Sequence, residues 1–347
     1  MPFSSSSSSP KSSTSNGPSN LMSFLHSVTP NVPICTLPKS CLQDLNSSWL
    51  PVDGDTVEYF TLQDFFECYE EWSVFGVGAP LLLNNEEEVV QYFIPYLSAV
   101  QIFTIKPFSD ARSSQGSTGE TDSEIQSRGH SESDKHSRSS SNDSNQNWDV
   151  KSTDSSIDHE GVSYPMKDRL GHLYFQYSET GSPFWRVPLA DKVADLSETY
   201  PGICDLKSID LSPASWMSVA WYPIYHIPMK GSMKDLTTCF LTYHTLSSFV
   251  QGETGADYTG KHMVFPNENL QRQGEPVNNG RHKVSVPPFG LASHRMQGDV
   301  WLNGDSCDFE KIIDLYNAAD SWLKQVGFSH PDFEFFSSHS PMSLSLA

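Results

Sequence analysis

Apolar positions in this chain recur with two different periods. A helical period marks five segments. Leu21, Met22, Phe24 and Leu25 open a short helix at Asn20. In 61–72, Leu62, Phe65, Phe66, Tyr69 and Trp72 fall three or four residues apart, the spacing of one helical face. Thr61 and Asp64 resemble a capping box there, and Gly76 and Gly78 end the element. Glu86, Glu87 and Glu88 suit a helix N-terminus, with Val89, Val90, Phe93 and Ile94 as its apolar face and Pro95 as its stop or kink. Leu189, Val193, Leu196 and Tyr200 line a fourth helix over 188–200, with Pro188 suited to its first turn and Pro201-Gly202 as its stop. Phe309, Ile312, Ile313, Tyr316 and Leu323 line the fifth, over 308–326, with Gly327 as C-cap.

A two-residue period, with β-branched and aromatic residues, predicts strands at 99–105, 171–177 and 236–246. Pro223 within 221–227 and Pro228 just after it make that segment read as an edge or bulged strand. Helices and strands mix with short connections, so the expected fold is α+β, a mostly antiparallel sheet with flanking helices. Four stretches show no period. Residues 1–19 are a Ser-rich tail, 109–163 an acidic Ser-rich insertion, 251–283 a Gly- and Asn-rich loop, and 336–347 a second tail. They hold too few apolar residues to offset the entropy of ordering. The pieces 20–108 and 164–335 are therefore read as one discontinuous domain with the insertion looped out.

Charge narrows the function. The 347 residues carry 42 Asp and Glu against 22 Lys and Arg, a net charge of −20, which disfavours nucleic acid and anionic membranes. The apolar region 89–105 is interrupted by Gln91, Pro95, Ser98 and Gln101 and is unsuited to crossing a bilayer. No C-x-x-C pair occurs among the six cysteines, so structural zinc and dithiol redox chemistry lack their spacing. The first residues contain no apolar signal core. These points give an intracellular protein of the cytoplasm or nucleus, with a plastid the lesser alternative for a Ser-rich, acid-poor start.

Candidate chemistry is sparse. Residues 255–262, GADYTGKH, nearly match a phosphate-cradling loop, but His262 replaces the hydroxyl residue and Pro266 follows where a helix should open. No G-x-S-x-G elbow is present. Cys239 with His244 or His226 could form a thiol–imidazole pair, but on a regular strand Cys239 and His244 face opposite sides. His226, His244 and Asp210 have no metal-ligand spacing. Accordingly no catalytic residue, cofactor or metal is assigned. A ligand site, if built here, would use the aromatic block 210–228: Trp216, Trp221 and Tyr222 with Arg186, His226 and His244. Large aromatics more often form core, and Arg186, inside PFWRVPL, more often pairs with a carboxylate than binds a free anion. In the insertion, Ser117, Thr121, Ser131, Ser140 and Ser155 each precede an acid by three residues, and Ser131 and Ser141 each follow an Arg by three. These are candidate phosphorylation sites.

Several blocks together resemble a known family: PKSCL at 38–42, YFTLQDFFECYEEWSVFG at 59–76, QYFIPYLSAVQIFT at 91–104, DRLGHLYFQY at 168–177, the block 210–228 and DLTTCFLTYHTL at 235–246. They are similar to the plant family of the domain of unknown function 789. The likeness spans most of the periodic chain and skips the insertion. It implies one intracellular plant family and brings no activity, ligand or catalytic residue. The expected function is a non-catalytic interaction or regulatory protein with protein partners and a phosphorylatable insertion. The alternative is an enzyme or small-ligand binder built on 210–228.

Overall fold

The computed structural model describes residues 18–42, 54–83, 87–104, 170–224, 237–248, 282–296, 298–302 and 306–338. All described residues belong to one compact unit. The elements are α1 (Asn20–Ser27), β1 (Asn31–Pro33), β2 (Cys35–Pro38), β3 (Thr56–Tyr59), α2 (Leu62–Glu67), α3 (Glu70–Phe75), β4 (Val77–Leu82), β5 (Glu88–Thr104), β6 (His172–Ser178), α4 (Leu189–Thr199), β7 (Trp216–Pro223), β8 (Cys239–Thr245), β9 (Lys283–Ser285), β10 (Gly290–His294), α5 (Gly298–Trp301), α6 (Ser306–Val326) and α7 (Pro331–Ser338).

A six-stranded sheet runs β10-β8-β7-β5-β4, with β6 beside the far end of β5, and every pairing is antiparallel. The fold is α+β. Successive side chains on β7 go to opposite faces. Met217, Val219 and Trp221 join one core cluster with Phe24 of α1, Phe65 of α2 and Leu189 of α4. Trp216 and Ala220 join a second cluster with Ala319 and Trp322 of α6 and Phe333 and Phe336 of α7, and Tyr222 packs against it. Helices therefore cover both faces. Gly290 lets α6 approach β10: a Cβ there would stand 2.9 Å from that of Ala319.

Three expectations need correction. The helix expected over 86–94 gives way to a strand from Glu88 on; β5 runs unbroken from Glu88 to Thr104 and pairs with β4 through Val77↔Phe93 to Leu82↔Glu88. Val89, Val90, Phe93 and Ile94 suit either period, and the β-branched and aromatic content together with the hairpin partner decides for the strand. Pro95 is tolerated because it falls between the last partner on β4, opposite Phe93, and the first on β6, opposite Ala99. Nor is the segment at 221 an edge. β7 lies between β5 and β8, and Pro223 ends it opposite Phe93; Pro228 lies outside the described residues. The irregularity sits on β5 instead, where the register with β7 shifts between Leu97 and Ala99. Ser98 is the extra residue, and a bulge of this kind re-aims a side chain.

Segment boundaries differ too. The helix over 61–72 breaks at Cys68-Tyr69 into α2 and α3, with Tyr69 still buried. Its capping box forms in both directions between Thr61 and Asp64. The tail boundary expected at 19 falls on a helix cap, because the Ser19 hydroxyl accepts from the Met22 N–H and caps α1. Lys283 belongs to β9, which pairs with β1, so the boundary expected at 283 falls inside a strand. Phe336 is buried within α7, so the expected tail boundary falls inside a helix. Among the described residues, no helix is long and apolar enough to cross a membrane.

Candidate functional site

The residues after β6 invert the usual arrangement of a charged side chain among apolar neighbours. Tyr177 donates its hydroxyl to Glu179 Oε2 at 2.7 Å, and Glu179 Oε1 accepts from the Gly181 N–H at 2.7 Å. The turn Pro183–Trp185 follows, flanked by extended backbone at Ser182 and Arg186. Arg186 then points inward. Its Nη1 and Nη2 donate to Asp332 Oδ2 and Oδ1 at 2.6 and 2.7 Å, and its Nε and Nη2 donate to the Gly181 carbonyl at 3.0 and 2.9 Å. The two charged side chains are only 4% and 8% exposed. Phe184 and Trp185 point outward instead, 93% and 86% exposed, with Val187 also at the surface. The cation is buried and the aromatics are wet, because one carboxylate inside claims the guanidinium.

Asp332 is itself held in place. It lies in the first turn of α7 behind Pro331, where an acid is favoured by the helix dipole. Ser98, displaced by the bulge, donates to Asp332 Oδ2. The Ser98 hydroxyl also contacts His330 Nε2 at 2.9 Å, and His330 Nδ1 contacts the Tyr243 hydroxyl at 2.7 Å. Since the Ser98 proton goes to the carboxylate, the bonds run one way. Tyr243 donates to Nδ1, the Nε2–H donates to Ser98, and Ser98 donates to Asp332. His330 is thereby neutral, in keeping with burial that pulls its pKa down to about 4. Burial also opposes the charge on Arg186, but the hydrogen bonds and charge of Asp332 outweigh it and hold the guanidinium above its ordinary value.

Ser, His and Asp thus lie together without forming a hydrolytic triad. A triad has the imidazole accept from the serine and the carboxylate orient the imidazole. Here the imidazole donates to Ser98, the carboxylate bonds Ser98 and Arg186, and Ser98 and His330 are buried. The chain of bonds braces the aromatic loop.

Among the described residues, the candidates of the sequence do not converge on one site. Arg186, Trp216 and Tyr222 lie on the α6–α7 face of the sheet, and Trp221 and His244 on the other. Trp216 donates its Nε1 to Gln101 Oε1 at 3.0 Å and packs on Tyr243 and Phe328. Trp221 donates its Nε1 to Thr242 Oγ1 at 2.9 Å. His244 donates from Nδ1 to the Val286 carbonyl at 3.0 Å and accepts from Thr242 at Nε2. Burial draws its pKa down to about 4. Cys239 joins the core cluster on the face opposite His244, and burial pushes its thiol up to about 12, leaving no thiolate. Among the described residues, no group of three His, Cys, Asp or Glu side chains could hold a metal ion. His226, the loop 255–262 and the hydroxyls at Ser117, Thr121, Ser131, Ser140, Ser141 and Ser155 lie outside the described residues.

Asp332, His330 and Ser98 went unread in the sequence. Pro331-Asp332 carried the signal of a helix start, a proline at the first position with an acid behind it. Nothing local marks Ser98, whose role depends on a register shift between strands. Beside this network, an open cleft of about 420 Å³ lies between the end of α6 and α7. Leu323, Phe328 and Phe333 are its apolar members, and Asp320, Lys324, Ser329, His330, Glu334 and Ser337 its polar ones.

Over residues 19–336 the chain matches the model of the family described as Protein of unknown function (DUF789), and it belongs to that family. No curated protein and no solved structure matches it.

Proposed function

We propose that this chain is a non-catalytic interaction module whose contact face is the aromatic loop at 183–187. One observation carries the reading. Two adjacent large aromatics are 93% and 86% exposed on a turn that a buried, bidentate ion pair holds still. Exposed aromatics on a floppy segment lose conformational entropy on binding, whereas a pre-set turn has already lost it. Tryptophan and other rigid aromatics supply much of the energy at protein contacts. The polar groups that would have served an enzyme are bonded to one another in the core, which favours this reading over a catalytic one.

Capture from native extract with the full chain as bait tests it. Phe184→Ser combined with Trp185→Ser is expected to lose proteins that the unchanged chain and a Phe309→Ser control both retain. Neither loop side chain belongs to the core, so thermal unfolding of the double variant should match the unchanged chain. Equal capture by all three baits would remove the reading.

The same reading makes the insertion a modifiable arm, with Ser117, Thr121, Ser131, Ser140, Ser141 and Ser155 as phosphate acceptors. Each phosphate adds about −1.5 to −2 charge. Protein isolated from its native tissue is expected to lose mass in steps of one phosphate on phosphatase treatment. A mass that phosphatase leaves unchanged would exclude the arm's modification.

A further inference from the structure

Building on the contact face proposed above, we infer that this face extends to the end of α3 and takes a basic amphipathic segment of another protein. Val74 and Phe75 end α3 and are 69% and 71% exposed. They lead into β4, whose first residue pairs with Phe93, and the aromatic loop follows β6, whose last residue pairs with Ala99. Both strands lie on the side of β5 away from β7. The two ends are therefore about 20 Å apart along β5. Among the described residues, no strand fills the gap between them. Ser73, beside Val74, reaches across: its hydroxyl accepts from the Ala190 N–H at 3.0 Å, just beyond Val187. Arg186 is fixed on the α6–α7 face and Leu189 in the cluster of the opposite face, so the loop crosses the sheet edge here. Val74, Phe75, Phe184, Trp185 and Val187, all exposed, are thus gathered along one edge of the sheet. Apolar residues exposed together in this way mark an interaction surface.

Charge decides what fits. Glu70 and Glu71 of α3 and Asp191, Asp195 and Glu198 of α4 are exposed. Among the described residues, none of them is in an ion pair. The helix dipole accounts for the first-turn acids Glu70, Glu71 and Asp191. It does not account for the other two. Asp195 repels Asp191 one turn away, and Glu198 stands in the last turn, where the dipole disfavours an acid. The one cation on α4, Lys192, is drawn over the Tyr177 ring at 5.7 Å, and α3 has none. The apolar edge therefore carries an uncompensated negative flank. A partner that sets Lys or Arg beside its own apolar side chains offsets that charge and covers the rings together. The net charge of −20 steers the same kind of partner toward the chain. A second copy, or an anionic lipid surface, would meet like charge instead.

Fluorescence anisotropy of a labelled, helical leucine–lysine peptide titrated with the full chain tests this. The expected result is saturable binding that weakens as salt rises, with no binding of the matching leucine–glutamate peptide. Trp185→Ala and Phe75→Ser should each weaken it roughly tenfold or more, the loss expected of a central contact. Asp191→Lys combined with Asp195→Lys should do the same; Asp191→Asn with Asp195→Asn serves if the lysine pair fails to fold. Glu310→Lys with Asp314→Lys makes the same change in net charge on exposed positions of α6 and should leave binding intact. Equal weakening by the α6 pair would mean that net charge alone attracts the peptide, and would overturn the inference. Binding indifferent to Trp185→Ala and Phe75→Ser would overturn it too. So would cosedimentation with phosphatidylcholine vesicles that depends on Trp185, since the edge would then be a lipid contact. If capture from native extract depends on Phe184 and Trp185 but ignores the Asp191 and Asp195 changes, the proposed contact face stands and the basic partner falls.

Discussion

Asp332→Ala is expected to destabilise the chain by about 3–5 kcal/mol, the range for breaking one side of a buried ion pair. The Arg186 guanidinium would keep its bonds to the Gly181 carbonyl but lose both bonds to the carboxylate, while remaining buried. Ser98 would lose its acceptor, and the ordered run of donors from Tyr243 through His330 would lose its end. Urea unfolding measures the loss, and a double-variant cycle separates the pair from its surroundings. Arg186→Met combined with Asp332→Leu removes both charges at similar volume and should recover most of the stability, since a well-packed apolar pair often equals a buried salt bridge. The double variant should still weaken the contact described above, because its loop is no longer fixed by four directed bonds. A loss below about 1 kcal/mol for Asp332→Ala would place the pair among weak surface bridges and undo the bracing argument.

Part of the sheet and most helices were legible because period and residue type agreed. The strands at 172–178 and 239–245 carried both signals, and so did the helices at 189–199 and 306–326. Residues 86–94 misread because their apolar spacing suited either period. Only pairing with Val77–Leu82 resolves that ambiguity, and such pairing is a property of two segments. Pro223 misread for a related reason. Proline is barred where a ladder bond is needed, and at the last position of β7 the strand is already ending. The loop at 183–187 was the hardest. Its apolar run favoured a carboxylate partner for Arg186, which the structure supplies, but nothing in it marked Phe184 and Trp185 as exposed. The deciding residue is Asp332, 146 positions away, and no local pattern connects the two.

Acidification from pH 7 to pH 5 is expected to remove about 4 kcal/mol of stability through two imidazoles. His330 and His244 each have a folded pKa near 4, set mainly by burial, against about 6.5 when unfolded. The unfolded chain therefore binds protons at pH 5 that the folded chain refuses, and stability falls with pH across that interval. The loss begins below about pH 6.5 and levels off near pH 4, where the folded chain also takes up the protons. Each imidazole contributes about 2 kcal/mol by pH 5. The direction is the reverse of that for a histidine stabilised in its charged form. Carboxylates paired in the fold act mostly below this interval, and relief of the chain's negative charge on acidification works the other way. Urea midpoints of the unchanged chain, His244→Gln and His330→Gln at both pH values isolate the two contributions. Each variant should be less stable than the parent at pH 7 and lose less on acidification. His244 answers for the face with Trp221, where its ring bonds Thr242 and Val286. His330 answers for the brace behind the aromatic loop, so its protonation should also loosen the Asp332 end and weaken the loop's contacts before the fold is lost. Parallel slopes in all three proteins would mean that neither imidazole titrates across the transition, and the one-way bonding assigned to His330 would have to be abandoned.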